Sequence, residues 1–474
     1  MVSTPPESIA PLWRRACEAA IAFRHDVPHR AAAPMDDYAT SLAGFEAHLP
    51  ETGADPDDVL GDLVRLADPG LMTPTGPRFF GWVIGGSHPA GVAADWLTSA
   101  WGQNAGNHQA SPAASAAETV ASRWLLELLD LPREASLGFV TGATMANFTA
   151  LAAARSAVLH DVGWDVERDG LFGAPPITVL IGEEAHATAY AALQLLGLGR
   201  ERVVTLPVDD QGRIVVTSAL DAFAELRRPA VVVLQAGQLN TGAFDDFATL
   251  VPAARAAGAW VHVDGAFGLW SRVSPRTRAL TEGVDGADSW AVDGHKWLQT
   301  PYDCGYVIVR DDAVHQRAMT IAASYLPVSE TGERDPSHYV PELSRRARGF
   351  ATWTMVRTLG REGIVALVDR HCALARLVAD LLRGQPGIEV LNDVGLNQVL
   401  VRFGADADED EGDRLTRETI ARVRADGVCF VGGASWRGRE AMRFSVIGFE
   451  TDEDEVRRSA EAIITAYRVV TEQS

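Results

Sequence analysis

The sequence predicts an α/β fold: a mainly parallel sheet in a large domain, followed by a small C-terminal α+β domain. Two observations predict it. Short apolar runs alternate with alanine-rich helical stretches between about residues 137 and 309, and strands that are apolar on both faces and separated by helices are typical of a parallel sheet covered on both sides. After Pro386 the pattern changes to closely spaced strands and two helices, which indicates a separate module.

Seven apolar runs are expected to form the large sheet. They span residues 137–140, 177–181, 202–206, 230–234, 260–263, 290–292 and 306–309. The last run follows its predecessor after a short turn region, and a connection this short allows the two strands to pair antiparallel. Helices are expected between the runs, for example at residues 144–159 and 188–196.

Three segments are predicted along the chain. Residues 1–75 form a helical N-terminal segment, residues 76–354 the large domain, and residues 355–474 the small domain. Within the large domain a helix is expected to begin at Pro112, because proline suits the first helical position. Ser111 is its expected N-cap, since serine side chains accept hydrogen bonds from free N–H groups at helix starts.

Composition narrows the possible partners. The chain has 474 residues and a formal net charge of −21, which argues against nucleic acid or an anionic membrane as the main partner. The acidic run at residues 405–413 is interpreted as a solvated loop. No stretch is apolar for roughly 18 residues, so no membrane span is expected. The four cysteines form no CxxC pair, which favours reduced thiols in a cytoplasmic protein.

Polar residues follow the carboxyl ends of predicted strands, where ligands bind in open parallel sheets. In "GFVTGATMANF" the turn at Gly142 leads into a helix at Ala143 and Thr144. The free N–H groups of a helix start suit a phosphate, although a purely structural tight turn fits this motif as well. His186 lies between another strand and helix, where a lone histidine is most often a cap or a surface residue.

Two more strand ends carry charged residues. Asp264 ends a buried strand in "AWVHVDGAFG", where a carboxylate needs a positive or hydrogen-bonding partner. Lys296 follows the next strand in "VDGHKWL", and alone it would be a loop lysine. His262 and Asp264 have no third ligand nearby, so a metal site is not expected.

The four features fit one ligand when they are taken together. A lysine amine forms a Schiff base with the aldehyde of pyridoxal 5′-phosphate. An aspartate pairs with the pyridine nitrogen of that cofactor, so that its ring withdraws electrons. A histidine can stack on the ring, and a helix N-terminus can hold the phosphate. The sequence therefore predicts pyridoxal 5′-phosphate as the cofactor.

Longer motifs carry a family resemblance. "HVDGAFG" and "DGHKWL" occur with "PRFFGWVIGGSHPAGVAADWLTSAW", "SPAASAAETVASRWLLELLDLP" and "ELSRRARGFATW" between residues 77 and 360. In these motifs the chain resembles the fold-type I, group II amino-acid decarboxylases, which include the aromatic amino-acid and glutamate decarboxylases. The resemblance implies the aspartate aminotransferase-like fold of pyridoxal phosphate enzymes.

The resemblance also implies roles for individual residues. Lys296 would form the Schiff base, His295 would contact the phosphate, Asp264 would pair with the pyridine nitrogen, Ala266 would pack under the ring and His186 would stack on it. Backbone groups would donate to the phosphate, and the residues implied for this are Gly142, Ala143 and Thr144.

Some positions depart from the family pattern. Leu239 stands where a threonine usually bonds the cofactor's 3′-oxygen, so Asn240 is expected to take that role. Asp293 stands near the phosphate, which a carboxylate would repel unless it points away or pairs with a cation. Ser344 is expected to reach the phosphate of the other subunit. The loop proton donor is expected to be Tyr339, with Tyr325 as the other candidate.

The predicted function is α-decarboxylation of an L-amino acid through a Lys296 Schiff base and a quinonoid. Oxidative deamination with O2 and β-elimination are alternatives, because the loop tyrosines do not fall at the family position. A non-catalytic regulatory protein is the weakest alternative, since the acidic chain has no basic DNA-binding module. The resemblance implies a homodimer with the active site at its interface. The sequence does not identify the substrate.

Overall fold

The structure is a computed structural model that describes residues 6–320 and 333–472. In this part of the chain helices and strands alternate as the sequence predicts. The helices are α1 (Pro6–Asp26), α2 (Tyr38–Phe45), α3 (Pro56–Ala67), α4 (Pro89–Trp101), α5 (Pro112–Leu128), α6 (Ala143–His160), α7 (Val166–Asp169), α8 (Ala187–Leu195), α9 (Val216–Ala224), α10 (Phe247–Ala256), α11 (Asp312–Met319), α12 (Arg348–Arg383), α13 (Glu409–Asp426) and α14 (Glu453–Glu472).

The strands form two sheets. The seven-stranded sheet has the order β2-β8-β7-β6-β5-β3-β4 and the five-stranded sheet the order β1-β11-β12-β10-β9. The strands are β1 (Phe79–Phe80), β2 (Ser136–Val140), β3 (Thr178–Gly182), β4 (Val204–Leu206), β5 (Ala230–Gln235), β6 (Trp260–Asp264), β7 (Ser289–Asp293), β8 (Gly305–Val309), β9 (Ile388–Val390), β10 (Gln398–Phe403), β11 (Phe430–Trp436) and β12 (Arg439–Ser445).

The large sheet is parallel except for β8. This strand pairs antiparallel with both β2 and β7, whereas the pairs that β3 to β7 form with one another are all parallel. The predicted mainly parallel sheet is confirmed, and the last apolar run is antiparallel. The carboxyl ends of β2, β3, β6 and β7 therefore lie at one edge of the sheet.

Helix α6 lies against this sheet with most of its length buried. Ala146, Ala150 and Ala153 are completely buried on it, because alanine side chains let a helix approach a sheet closely. Gly305 begins β8 against the turn that precedes α6. A Cβ atom added to Gly305 would lie 2.6 Å from the Cα of Gly142, so only glycine fits there.

The small sheet combines distant parts of the chain. Strand β1 pairs parallel with β11, and β9 to β12 pair antiparallel. Helix α12 links the two sheets and is interrupted at Gly360, whose φ of 61° lies in the left-handed region that glycine tolerates. The predicted limits of the three segments stay predictions.

Two local predictions need correction. Ser111 stands at the N-cap position of α5 but makes no capping bond; its hydroxyl donates to Gln103 Oε1 instead, at 2.8 Å. The acidic run is not all loop, because α13 begins within it at Glu409. Asp408 caps this helix by accepting from the N–H of Glu411 at 2.9 Å, and acidic side chains in a first turn are favoured by the helix dipole.

Helices α1 to α3 lie within the predicted N-terminal segment. Several of its large apolar side chains are exposed, including Trp13 at 58% and Leu63 at 52%. Within residues 6–320 and 333–472, every helix is too short or too polar to pass through a lipid bilayer.

Candidate active site

A pocket of about 440 Å³ lies where the carboxyl edge of the large sheet meets the small sheet. Arg443 of β12 lines it from the small-sheet side. Eight of the residues proposed from the sequence line the same pocket: Gly142, Ala143, Thr144, His186, Asp264, Ala266, His295 and Lys296.

Lys296 lies on the turn after β7, with 15% of its side chain exposed. Its Nζ is 2.8 Å from Asp293 Oδ2 and 5.7 Å from the centre of the Phe267 ring. Lys296 is also the only lysine in the chain; every other residue among its 42 lysines and arginines is arginine. The lysine count therefore points to this residue independently of any motif spacing.

The contacts of Asp293 explain how a carboxylate is tolerated beside Lys296 and the start of α6. Its Oδ2 pairs with Lys296, and its Oδ1 accepts a 2.6 Å hydrogen bond from the N–H of Ala143 at the start of α6. The Ala143 N–H, expected to donate to a phosphate, thus donates to Asp293 in the structure. The buried charge of Asp293 is balanced by a cation and by a helix N-terminus.

His295 is oriented by the main chain. Its Nδ1 lies 2.8 Å from the carbonyl oxygen of Cys304, so Nδ1 carries the proton. Burial lowers the pKa of His295, which leaves Nε2 as an acceptor in the neutral ring. This Nε2 lies 3.7 Å from Asp293 Oδ2, and the ring packs 4.4 Å from that of Tyr302.

Asp264 lies at the other end of the pocket and is held by neutral donors. Its Oδ2 accepts from Asn147 Nδ2 at 2.9 Å, and its Oδ1 accepts from the N–H of Ala266 at 3.2 Å. Asn147 Oδ1 in turn lies 2.9 Å from His262 Nε2. Asp264 is 5% exposed, and Asn147 and His262 are fully buried.

His186 forms part of the pocket wall at the start of α8. Its Nδ1 accepts from the N–H of Thr188 at 3.3 Å and lies 2.7 Å from the Thr188 hydroxyl. Burial lowers the pKa of His186, so the imidazole is neutral near pH 7 and its ring faces are available for stacking.

Arg443 is a buried cation, only 5% exposed. Burial lowers its pKa to about 10, so it stays protonated near pH 7. Its Nη1 donates to Asn240 Oδ1 at 3.4 Å, and its Nε has no hydrogen-bond partner among the described residues. Leu239, and not Asn240, is among the residues that line the pocket.

Comparison with known proteins identifies the family. The pyridoxal-dependent decarboxylase conserved domain matches residues 39–404. The chain belongs to this family. An aromatic-L-amino-acid decarboxylase from Bacillus atrophaeus is 27% identical over 440 residues, covering 90% of this chain and 89% of that protein. Tryptophan decarboxylase 1 from Oryza sativa subsp. japonica is 30% identical over 443 residues, covering 87% of this chain and 85% of that protein.

The fold agrees with that of solved decarboxylase structures. The crystal structure of Oryza sativa TDC with PLP and tryptamine matches with a TM-score of 0.91 at 25% identity, covering 99% of each chain. The comparisons confirm the predicted family, the fold, the pyridoxal 5′-phosphate cofactor and the class of enzyme, a carboxy-lyase that decarboxylates amino acids.

The pocket of this decarboxylase fits its cofactor chemically. It presents an amine at Lys296, a buried carboxylate at Asp264 and a helix start at Gly142, all lining a single cavity. These are the groups that an aldehyde, a pyridine nitrogen and a phosphate require.

Three described residues proposed for the decarboxylase, Ser344, Tyr339 and Asn240, are not among those that line this pocket. Ser344 is exposed and borders a separate pocket beside Gln103. Tyr339 is buried, with its hydroxyl 3.1 Å from Gln316 Nε2, and burial raises its pKa to about 12. Tyr325 lies outside the described residues. The roles of Ser344, Tyr339 and Asn240 stay predictions.

Sequence reasoning missed Asn147 and Arg443 as site residues, although both left a signal. Asn147 is a polar residue in the alanine-rich stretch "TMANFTALAAA". Arg443 interrupts the apolar run "AMRFSV". Charged and amide side chains inside apolar elements are costly unless they are paired. Arg443 lines the pocket, and Asn147 donates to Asp264, which lines it as well.

Proposed function

We propose that this enzyme removes the α-carboxyl group of an L-amino acid, with Lys296 as the residue that binds pyridoxal 5′-phosphate. One observation carries the proposal: Lys296, Asp264 and the start of α6 line the same pocket. Because the chain has no other lysine, no other lysine amine is available for the cofactor's aldehyde.

Each end of the pocket has a proposed role in holding the cofactor. Pyridoxal 5′-phosphate supplies an aldehyde that condenses with amines and a ring that draws away the electron pair left by a broken bond. Asp264 would pair with the ring nitrogen and His186 would lie against the ring. Gly142 and Thr144, at the start of α6, would face the phosphate.

Asp293 and His295 are proposed to take up the proton that Lys296 must lose. An ammonium group cannot attack an aldehyde, so Lys296 Nζ must first lose a proton. Asp293 Oδ2 is the acceptor at 2.8 Å, and the neutral His295 Nε2 lies 3.7 Å beyond it. These two residues can hold that proton beside the phosphate, where added positive charge is favourable.

Arg443 is proposed to bind the substrate carboxylate. A buried guanidinium with an unpaired Nε favours an anionic partner, and Arg443 lines the pocket that contains Lys296. The wall formed by Trp82, Ile84 and Leu239 is apolar, which supports a substrate with an apolar side chain. Two matched relatives are named for aromatic amino acids and for tryptophan, so we propose aromatic amino acids as the first class to test.

We also propose a homodimer with the active site at its interface. Trp13, Trp96, Leu97 and Trp101 expose between 44% and 58% of their surfaces, and exposed apolar residues in such numbers are typical of protein interfaces. Sedimentation equilibrium should give a mass near twice the 50.8 kDa of the chain; a mass of one chain at micromolar concentration would contradict the dimer.

A cytoplasmic location is proposed from the thiols. All four cysteines are free, and Cys304, Cys372 and Cys429 are buried. Unpaired cysteines of this kind are usual in reducing compartments. Fractionation of the source cells, with activity assayed in each fraction, tests this location.

Product identification tests the proposed reaction. The purified holoenzyme is incubated with a panel of L-amino acids, with and without O2, and the products are measured by mass spectrometry and CO2 release. The proposal expects one amine and one CO2 per substrate consumed, independent of O2. Aldehyde and peroxide formed at the expense of O2 would overturn it in favour of oxidative deamination.

Two variants refine this test. Lys296→Arg removes the amine but keeps a cation beside Asp293, and we expect it to form no amine product. Arg443→Met is expected to raise KM for the amino acid by about tenfold or more, without changing the affinity for the cofactor. An unchanged KM would remove Arg443 from carboxylate binding.

A further inference from the structure

The hydrogen bonds that hold Asp264 continue through three neighbouring elements. Asn147 on α6 contacts His262 on β6, and His262 Nδ1 lies 2.9 Å from Ser289 Oγ on β7. The indole N–H of Trp260 donates to the same Ser289 oxygen at 2.9 Å. Asn147, His262 and Ser289 are fully buried, so bulk water does not take part in this hydrogen-bond network.

The Asp264 end of this hydrogen-bond network, together with a neutral His262, fixes the direction of its bonds. The indole of Trp260 can only donate, and an ionised Asp264 can only accept. The Asn147 amide must therefore turn Nδ2 toward Asp264 and Oδ1 toward His262. His262 Nε2 then carries the proton, and its Nδ1 accepts the Ser289 hydroxyl proton.

This arrangement requires a neutral histidine. Burial lowers the pKa of His262 to about 4, so the ring carries no positive charge near pH 7. The donors that reach Asp264, the Asn147 amide and the Ala266 N–H, are neutral as well. They orient the carboxylate without cancelling its charge.

We propose that Asn147 and His262 are positioning residues that aim an ionised Asp264 at the ring nitrogen of the cofactor. This inference rests on the proposed function, in which Asp264 pairs with that nitrogen. A purely structural network would satisfy buried polar groups and would affect all ligands of the pocket equally. A positioning network affects only ligands that carry the ring nitrogen.

A pair of ligands separates these two roles. The apo form of the full chain is titrated with pyridoxal 5′-phosphate and with its 1-deaza analogue, in which carbon replaces the ring nitrogen. The wild-type protein should prefer the natural cofactor by about 10- to 100-fold, the range of a hydrogen bond between charged groups. The measured quantity is the ratio of the two dissociation constants.

Asn147→Leu is the main variant, because it keeps the size of the side chain and removes the donor to Asp264. We expect the preference to fall to within about threefold of unity as that charge-assisted bond is lost. Binding of the deaza analogue should change by less than about twofold. Thr149→Val is the matched control. Thr149 is fully buried on the same helix, and among the described residues its hydroxyl donates only to Met145 O, so the preference of this variant should equal that of the wild type.

A second pair covers the case in which Asn147→Leu does not fold. His262→Phe removes the proton donor to Asn147 Oδ1 and should weaken the preference. His262→Gln carries an amide N–H that can donate in its place and should retain more of the preference than His262→Phe.

The outcomes distinguish this inference from the proposed function. If the wild type prefers the natural cofactor and both Asn147→Leu and His262→Phe keep that preference, the positioning role is overturned while the role of Asp264 stands. If the wild type shows no preference, or Asp264→Ala keeps it, the pairing of Asp264 with the ring nitrogen fails and the inference fails with it.

Discussion

Two carboxylates at opposite ends of one pocket are buried to a similar degree and are held in different ways. Asp264 ends β6 and is 5% exposed, and Asp293 ends the neighbouring β7 and is 2% exposed. Asp264 accepts from the Asn147 amide and a backbone N–H. Asp293 accepts from a backbone N–H and pairs with the Lys296 ammonium at 2.8 Å.

The difference shows how a protein assigns separate tasks to the same functional group. Neutral donors stabilise a buried carboxylate and leave its charge for a ligand. An ion pair neutralises the carboxylate within the protein, and removing one partner leaves an uncompensated buried charge. Asp264 thus suits its proposed pairing with a cationic ring, whereas Asp293 would have to part from Lys296 before that amine reacts as proposed.

The largest effect is expected from removing the cation. Lys296→Ala should slow amine formation by at least about 1,000-fold, because the residue proposed to bind the cofactor is lost. It should also lower the free energy of unfolding by about 3 kcal/mol at pH 7, because Asp293 is left buried without its partner. Product assays and urea denaturation measure the two effects.

Lys296→Arg separates the ion pair with Asp293 from the reaction of the lysine amine. It should be as inactive as Lys296→Ala but should keep most of the wild-type stability, since a guanidinium can pair with Asp293. Equal stability of Lys296→Ala and the wild type would contradict the importance of the ion pair at this end.

The Asp264 end is expected to be sensitive to acid. The ordinary pKa of a histidine is about 6.5, whereas that of buried His262 is about 4. Between these values the unfolded chain binds a proton that the folded chain does not, so the free energy of unfolding falls as the pH falls. The loss is about 1.4 kcal/mol per pH unit and approaches 3 kcal/mol below pH 4.

His262→Gln should remove this part of the acid dependence. Urea denaturation at intervals from pH 7 to pH 4 should give a shallower slope for the variant than for the wild type. His371, whose pKa burial lowers to about 3, contributes equally in both proteins and serves as an internal reference. Identical slopes would show that His262 is not neutral in the folded state.

Asp293→Asn should improve the binding of an anion at the opposite end. The substitution removes a negative charge beside the start of α6 and offers an amide donor. The affinity of the apo protein for inorganic phosphate is expected to rise by about tenfold, measured by isothermal titration calorimetry. Asp264→Asn, at the other end of the pocket, is the matched control and should leave that affinity within about twofold.

The smallest effect is expected from Ser289→Ala. The Trp260 N–H and the His262 Nδ1 both lose a partner, which should lower the free energy of unfolding by about 1–2 kcal/mol. Phosphate affinity should not change, because Lys296 and Asp293 are untouched. Ser122→Ala, which removes one bond to the carbonyl of Glu118 within a helix, should cost less, and the reverse order would contradict the proposed series of hydrogen bonds.

Much of the architecture could be predicted because the information is local. Uniformly apolar runs predicted the strands, and turn residues after them predicted the edge at which Gly142, His186, Asp264 and Lys296 meet. The misjudged acidic run shows the limit of charge patterns, since the same residues suit either a loop or the first turn of a helix at Asp408.

The sequence by itself predicted the cofactor, which the comparisons confirm, and the amine that is proposed to bind it. The order of strand-end residues indicated pyridoxal phosphate, and a chain with a single lysine offers no second lysine side chain for that bond. Chemistry that depends on the presence of one residue type can be predicted from the sequence without knowing any distance in the fold.

Only the tertiary structure decided how the two carboxylates differ. Asn147 reaches Asp264 from a helix more than a hundred residues earlier, and Arg443 enters the pocket from the small sheet. Asp293 turns to Lys296 and to the N–H of Ala143. Hydrogen bonds and ion pairs are sensitive to changes in distance of a few tenths of an ångström. The distances between remote segments are set by packing, which no local pattern specifies.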